Sequence, residues 1–127
     1  MAESLLNGKS ILAVDDEPDV LDVLEEEIME SCPNCKFDKA VTYKEAARMM
    51  NSNKYDLVIL DIMGVRGFEL LDAAVKHKLP VAMLTAHALT PDALKRSIQM
   101  MARVYLPKEK MGEIVPFLEY VLKYEYL

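Results

Sequence analysis

Five short apolar runs alternate with five longer stretches whose apolar residues recur at helical spacing, and this leaves few folds open. It is the pattern of a parallel sheet with helices on both faces. The most telling run is Leu57-Val58-Ile59-Leu60, apolar at every position as a strand covered on both sides must be. Asp61 follows it directly. In an open parallel sheet, sites form at the carboxyl ends of the strands. An acid at that point is expected to be solvent-reachable and is the first candidate for chemistry.

The other elements fall into place around it. Ser10 to Val14 is a second apolar run and ends in Asp15 and Asp16. Glu17-Pro18 opens a helix, proline suiting the first turn, with Val20, Leu21, Leu24 and Ile28 on its apolar face. Lys36 to Val41 mixes charges with Phe37 and Val41, which suits an edge strand. Thr42 with Glu45 predicts a capping box for a helix carrying Ala46, Ala47, Met49 and Met50. Gly64 and Gly67 mark a loop, and Phe68, Leu70, Leu71 and Val75 predict a third helix. Val81 to Leu84 is a strand ending in Thr85, and Thr90-Pro91 begins a helix with Leu94, Ile98 and Met101. Val104 to Pro107 is the last strand, ending in Lys108, and Met111 to Tyr126 closes the chain as a helix with its stripe at Ile114, Val115, Leu118, Val121 and Leu122. No repeat or linker interrupts this, so the 127 residues are expected to form one domain.

Composition narrows the class of partner. A net charge of −6 argues against binding nucleic acid directly, which needs basic surface to neutralise phosphates. The acids are concentrated between Ser10 and Cys35, where there is no Lys or Arg, while Lys95, Arg96, Arg103, Lys108 and Lys110 reverse the balance later. These read as solvated helix faces first and as partner-steering surfaces second. No apolar run approaches the roughly 18 residues needed to span a bilayer, and the first ten residues do not form a signal peptide. Only two cysteines are present, so a reducing cytoplasm is the expected setting. Cys32-Pro33-Asn34-Cys35 has metal or redox spacing, but without a second pair it reads as two structural thiols.

A parallel sheet puts Asp15, Asp16, Asp61, Thr85 and Lys108 on one edge. Carboxylates about 4 Å apart repel by about 4 kcal/mol per pair at an effective dielectric near 20. A hard divalent ion with oxygen ligands, Mg²⁺ above all or Mn²⁺, relieves this and leaves positions for water and phosphate. A lysine ammonium is a point charge suited to a phosphoryl oxygen, and a threonine hydroxyl adds a donor. Each residue alone has a bland reading, as a helix cap or a surface lysine. Their coincidence at the strand ends does not.

The segments Ile11-Leu12-Ala13-Val14-Asp15-Asp16-Glu17-Pro18, Leu60-Asp61-Ile62-Met63, Leu84-Thr85-Ala86 and Tyr105-Leu106-Pro107-Lys108 resemble the receiver domain of two-component response regulators, over nearly the whole chain. The resemblance implies a flavodoxin-like (βα)5 three-layer sandwich with strand order 2-1-3-4-5. It implies a phosphorelay switch of bacterial type in which Asp61 takes a phosphoryl group from a sensor histidine kinase or phosphotransfer protein. Asp16, Asp61 and the Met63 backbone carbonyl would ligate the metal, with Asp15 acting through water. Lys108 would pair with the phosphoryl group and Thr85 would hydrogen-bond it. Tyr105 would turn inward as Thr85 moves, re-shaping the face made by the helix expected from Thr90, the last strand and the last helix. Met63 and His87 occupy positions that tune hydrolysis in the family. Such a chain is not an enzyme beyond its own phosphotransfer and dephosphorylation. Its output would lie in another protein or in a domain outside this sequence.

Three features depart from the family pattern. The loop after Asp61, Gly64-Val65-Arg66, is shorter by about two residues. Met101-Ala102 stands where a glycine-alanine pair is usual, and proline precedes rather than follows Lys108. The altered loop raises a second reading, an adaptor that docks partners without phosphorylation. A third, a dehalogenase-type phosphatase, needs a general-acid aspartate two residues after the nucleophile, where Met63 stands.

Overall fold

The structure is a computed structural model that describes residues 5–61, 67–85 and 104–123. Strands β1 (Ser10–Val14), β2 (Lys36–Ala40), β3 (Leu57–Asp61), β4 (Val81–Thr85) and β5 (Val104–Pro107) form one parallel sheet in the order 2-1-3-4-5. Helices α1 (Pro18–Ser31), α2 (Tyr43–Ser52), α3 (Gly67–Lys76) and α4 (Ile114–Lys123) cover its two faces. The fold expected from the sequence is the one observed. The helix expected from Thr90 lies outside the described residues.

Successive strand residues point to opposite faces, and the core divides accordingly. Ile11, Ala13, Leu57, Ile59, Ala82 and Leu84 pack with Val20, Leu21, Leu24 and Ile28 of α1 and Ile114, Leu118 and Val121 of α4. Leu12, Val14, Val58, Leu60, Val81 and Met83 pack with Ala46 and Met50 of α2 and Leu70, Leu71 and Ala74 of α3. With both faces occupied, no position of these strands tolerates a polar side chain until the strand ends. Edge strand β2 is the mixed one. Its Lys39 is held at 3.0 and 2.8 Å by Asp22 and Glu25 of α1.

Helix termini follow their local chemistry. Pro18 occupies the first turn of α1. Thr42 Oγ1 accepts from the Glu45 N–H at 3.1 Å, and Glu45 Oε1 accepts from the Val41 N–H at 3.2 Å, so the capping box is present with its return bond one residue earlier than usual. At the end of α3 the Lys78 N–H donates to the Val75 carbonyl and the Leu79 N–H to the Ala74 carbonyl, each at 2.9 Å, the Schellman pattern. The left-handed residue it requires is Lys78, at φ 59°. A side chain there is strained by about 1 kcal/mol or more. Lys78→Gly is therefore expected to raise stability by up to about 1 kcal/mol, read from the midpoint of urea unfolding.

The last helix differs from the sequence expectation. It was expected from Met111, but Lys108–Glu113 is a 3-10 segment and the α-helix starts at Ile114. Pro116 explains this: a start at Ile114 puts the ring in the first turn, where no backbone N–H is needed, whereas a start at Met111 would put it in the interior.

Two buried groups tie loops to the sheet. Tyr55, 7% exposed, donates its hydroxyl to Asp38 Oδ2 at 2.7 Å. The Cys35 thiol donates to the Leu6 carbonyl at 2.7 Å, and both cysteines are free and buried. Burial, reinforced by neighbouring Cys32, pushes the Cys35 thiol up from 9.0 to about 11. Burial, reinforced by the Asp38 bond, pushes the Tyr55 phenol up from 10.0 to about 12. Both folded-state values are raised, so their stabilisation is complete below pH 9.0 and is lost as pH climbs to about 12. Alkaline unfolding is expected to track this window. A phenolate absorbance step near pH 12 should be present in the wild type and missing in Tyr55→Phe.

Candidate functional site

The register of the sheet builds the site. Val14 pairs with Leu60 across β1 and β3, so the next residues, Asp15 and Asp61, leave the sheet side by side. Both follow a side chain packed on the α2/α3 face, so alternation turns both toward the α1/α4 face. Thr85 ends β4 opposite Pro107 of β5, and Lys108 follows at once. One edge of the sheet thus gathers all five positions. Tyr105 pairs with Met83 one turn of the pleat earlier.

The side chains converge as the sequence predicts for Asp15, Asp16, Asp61 and Lys108. One carboxylate oxygen from each of the three acids lies within 4.8 Å of the others. Lys108 Nζ reaches Asp15 Oδ2 at 3.0 Å and Asp61 Oδ2 at 3.2 Å. In one respect the structure corrects the sequence expectation: Asp61 is not open to solvent but 4% exposed, and Asp15 is 0% exposed. The Lys108 ammonium is ion-paired with both and hydrogen-bonded to Asp61. Asp16 is the exposed member of the set.

Asp15 does two things at once. Its Oδ1 accepts from the Glu17 N–H at 2.9 Å, an Asx turn that shapes the entry to α1 ahead of its N-cap, Glu17. Its Oδ2 is buried and lies within ion-pair distance of Lys108, yet it accepts no hydrogen bond among the described residues. Burial raises the Asp15 pKa, the Glu17 N–H and Lys108 oppose this, and the charge of Asp61 adds to it. For Lys108, burial disfavours the ammonium, but the contacts with Asp15 and Glu17 and the charge of Asp61 outweigh it and the pKa is raised. The lysine is charged under all physiological conditions.

Glu17 was not anticipated as part of the site. It is exposed, yet its Oε1 accepts from Lys108 Nζ at 3.1 Å across 91 residues of sequence. Its position, one residue past the acid pair at the same strand end, was the available signal. Met63 and His87 lie outside the described residues. Thr85 and Tyr105 are fixed here by their strand positions alone.

Three carboxylates within 4.8 Å of one another suit a hard divalent metal. The buried Asp15 Oδ2 without a hydrogen bond is an oxygen donor that a metal's water would satisfy, so the residues present fit the group.

A parallel sheet with buried acids and a lysine at its carboxyl edge defines a class, and comparison with known proteins gives the family. The response regulator receiver domain family matches residues 11–118, and the chain belongs to it. Two-component response regulator ARR18 of Arabidopsis thaliana is 40% identical over 87 residues, covering 64% of this chain and 13% of that protein. Transcriptional regulatory protein YvrH of Bacillus subtilis is 32% identical over 92 residues, covering 70% of this chain and 38% of that protein. The chain therefore spans well under half the length of these curated relatives. Among solved structures, response regulator TrrA of Thermotoga maritima, in complex with Mg²⁺ and a beryllium fluoride, is 32% identical with a TM-score of 0.76, covering 90% of this chain and 99% of that one. A receiver domain protein of Methanospirillum hungatei shares the fold at a TM-score of 0.81 and 22% identity, covering 92% and 95%. Receiver domains are phosphoacceptor switches rather than enzymes of the usual kind. They bind Mg²⁺ at an acidic cluster and interact with histidine kinases or phosphotransfer proteins. Among the described residues no helix is long and apolar enough to cross a membrane.

Proposed function

We propose that this receiver domain is a phosphorylatable switch with Asp61 as its acceptor. The observation that carries the proposal is Lys108 Nζ lying 3.2 Å from Asp61 and 3.0 Å from Asp15 at the carboxyl edge of the sheet. An Asp61 carboxylate oxygen attacks phosphorus of a phosphohistidine on a sensor kinase or phosphotransfer protein. The O–P bond forms, the P–N bond breaks, and the imidazole leaves. Asp16 and Asp61 would hold Mg²⁺ or Mn²⁺ together with the Met63 backbone carbonyl, with Asp15 acting through water. The bound ion supplies charge neutralisation to the phosphoryl oxygens. Lys108 pairs with one of those oxygens, and the Thr85 hydroxyl donates to another.

The phosphoryl group brings roughly −1.5 to −2 charge to one point. Drawing Thr85 toward it lets Tyr105 turn inward and changes the surface around β5 and α4, while Met63 and His87 tune the lifetime of the acyl phosphate. A differential interaction of a few kcal/mol between two states is enough. Residues 1–127 act as one receiver unit in the cytoplasm, without direct nucleic-acid binding. They signal to a partner protein or to another part of a longer chain. Incubated with acetyl phosphate and Mg²⁺, the protein is expected to gain one phosphoryl group by intact mass, stable in acid and labile in base. With the ion chelated it is expected to gain none. An unchanged mass in both conditions would favour the adaptor reading, to which the altered loop after Asp61 points.

A further inference from the structure

Lys108 faces one carboxylate for each of its three N–H groups. Among the described residues these are Asp15 at 3.0 Å, Glu17 at 3.1 Å and Asp61 at 3.2 Å from Nζ. A phosphoryl oxygen arriving at Asp61 competes with these carboxylates for the ammonium. Asp15 is fully buried and held by the Glu17 N–H through its other oxygen. Asp61 carries the arriving group. The Glu17 side chain is 62% exposed, so its carboxylate is readily rehydrated on release.

We infer that Glu17 is the exchangeable counter-ion of Lys108, a positioning residue that occupies the lysine in the unphosphorylated protein and is displaced by the phosphoryl group. Resting on the receiver reading above, this adds a residue that sets how readily the switch is thrown. Glu17 opposes phosphoryl binding by holding the lysine, and its removal favours the phosphorylated state. The site then has a built-in threshold set by a surface side chain. Residue 17 can vary without touching a metal ligand or the acceptor.

The test uses beryllofluoride, a phosphoryl mimic, titrated calorimetrically at Mg²⁺ concentrations saturating for each protein. Wild type is compared with Glu17→Gln, which removes the charge, and Glu17→Asp, which keeps it but shortens the reach to Lys108. Thermal melting without ligand confirms that each protein is folded. Glu17→Gln is expected to bind about fivefold more tightly than wild type, the scale of one partly exposed ion pair. Glu17→Asp is expected to gain in the same direction. Tightening in Glu17→Gln alone would mean that the charge repels the anion through space, which overturns the displacement account. Unchanged or weaker binding in both would overturn it outright. If wild type itself binds no beryllofluoride, the receiver reading beneath the inference fails first, and that outcome is read from wild type alone.

Discussion

Asp61→Asn protein incubated with acetyl phosphate and Mg²⁺ is expected to show no phosphoryl adduct by intact mass under conditions that label wild type. A carboxamide has no anionic oxygen to attack phosphorus, and no other group takes its place. Asp15 is fully buried, with one oxygen committed to the Glu17 N–H. Asp16 is exposed and has no resolved contact with Lys108. The loss is therefore complete rather than partial. The fold is expected to survive, because the change removes one of three negative charges held within 4.8 Å of each other. Near 4–5 Å each such pair costs roughly 3–4 kcal/mol at an effective dielectric of 20. Unaltered melting together with loss of the adduct separates chemistry from structure.

Lys108→Met is expected to have the largest effect on stability. Methionine keeps the apolar stem and removes the charge that lies across Asp15 and Asp61. Breaking a buried ion pair from one side costs about 3–5 kcal/mol, because the remaining charge has no compensation. The deficit depends on pH. The Asp15 pKa is already raised by burial and rises further without the lysine. A carboxyl whose folded-state pKa is raised is stabilising while protonated, and that contribution is lost as pH rises through the folded value. The gap between wild type and variant should therefore be widest at neutral pH and narrow toward pH 4. Added Mg²⁺ should stabilise the variant more than wild type, since the site keeps its three acids and loses the cation that repels the ion. A gap independent of both pH and Mg²⁺ would show that Lys108 contributes packing rather than charge.

Much of this was legible in the sequence because local rules and the sheet agree. The runs Ile11–Val14 and Leu57–Leu60 are apolar at consecutive positions because both faces are covered, and that forces a parallel α/β sheet. Parallel register then brings Asp15 and Asp61 together with no further information. The start of α4 was also legible, because Pro116 and an apolar stripe that begins at Ile114 both place it there. Other features lie beyond what local patterns carry. The Asp61–Lys108 contact joins residues 47 apart in sequence. The Glu17–Lys108 contact and the Tyr55–Asp38 bond depend likewise on how separate elements meet in space.

Asp61, with Lys108 Nζ at 3.2 Å, is the expected acceptor. Borohydride reduces an aspartyl phosphate to homoserine, so reduction after treatment with acetyl phosphate and Mg²⁺, followed by peptide sequencing by mass spectrometry, reads the acceptor directly. Homoserine at position 61 and at no other acid is the predicted result. Homoserine at position 15 or 16, or a labelled protein with an intact aspartate at 61, would contradict it.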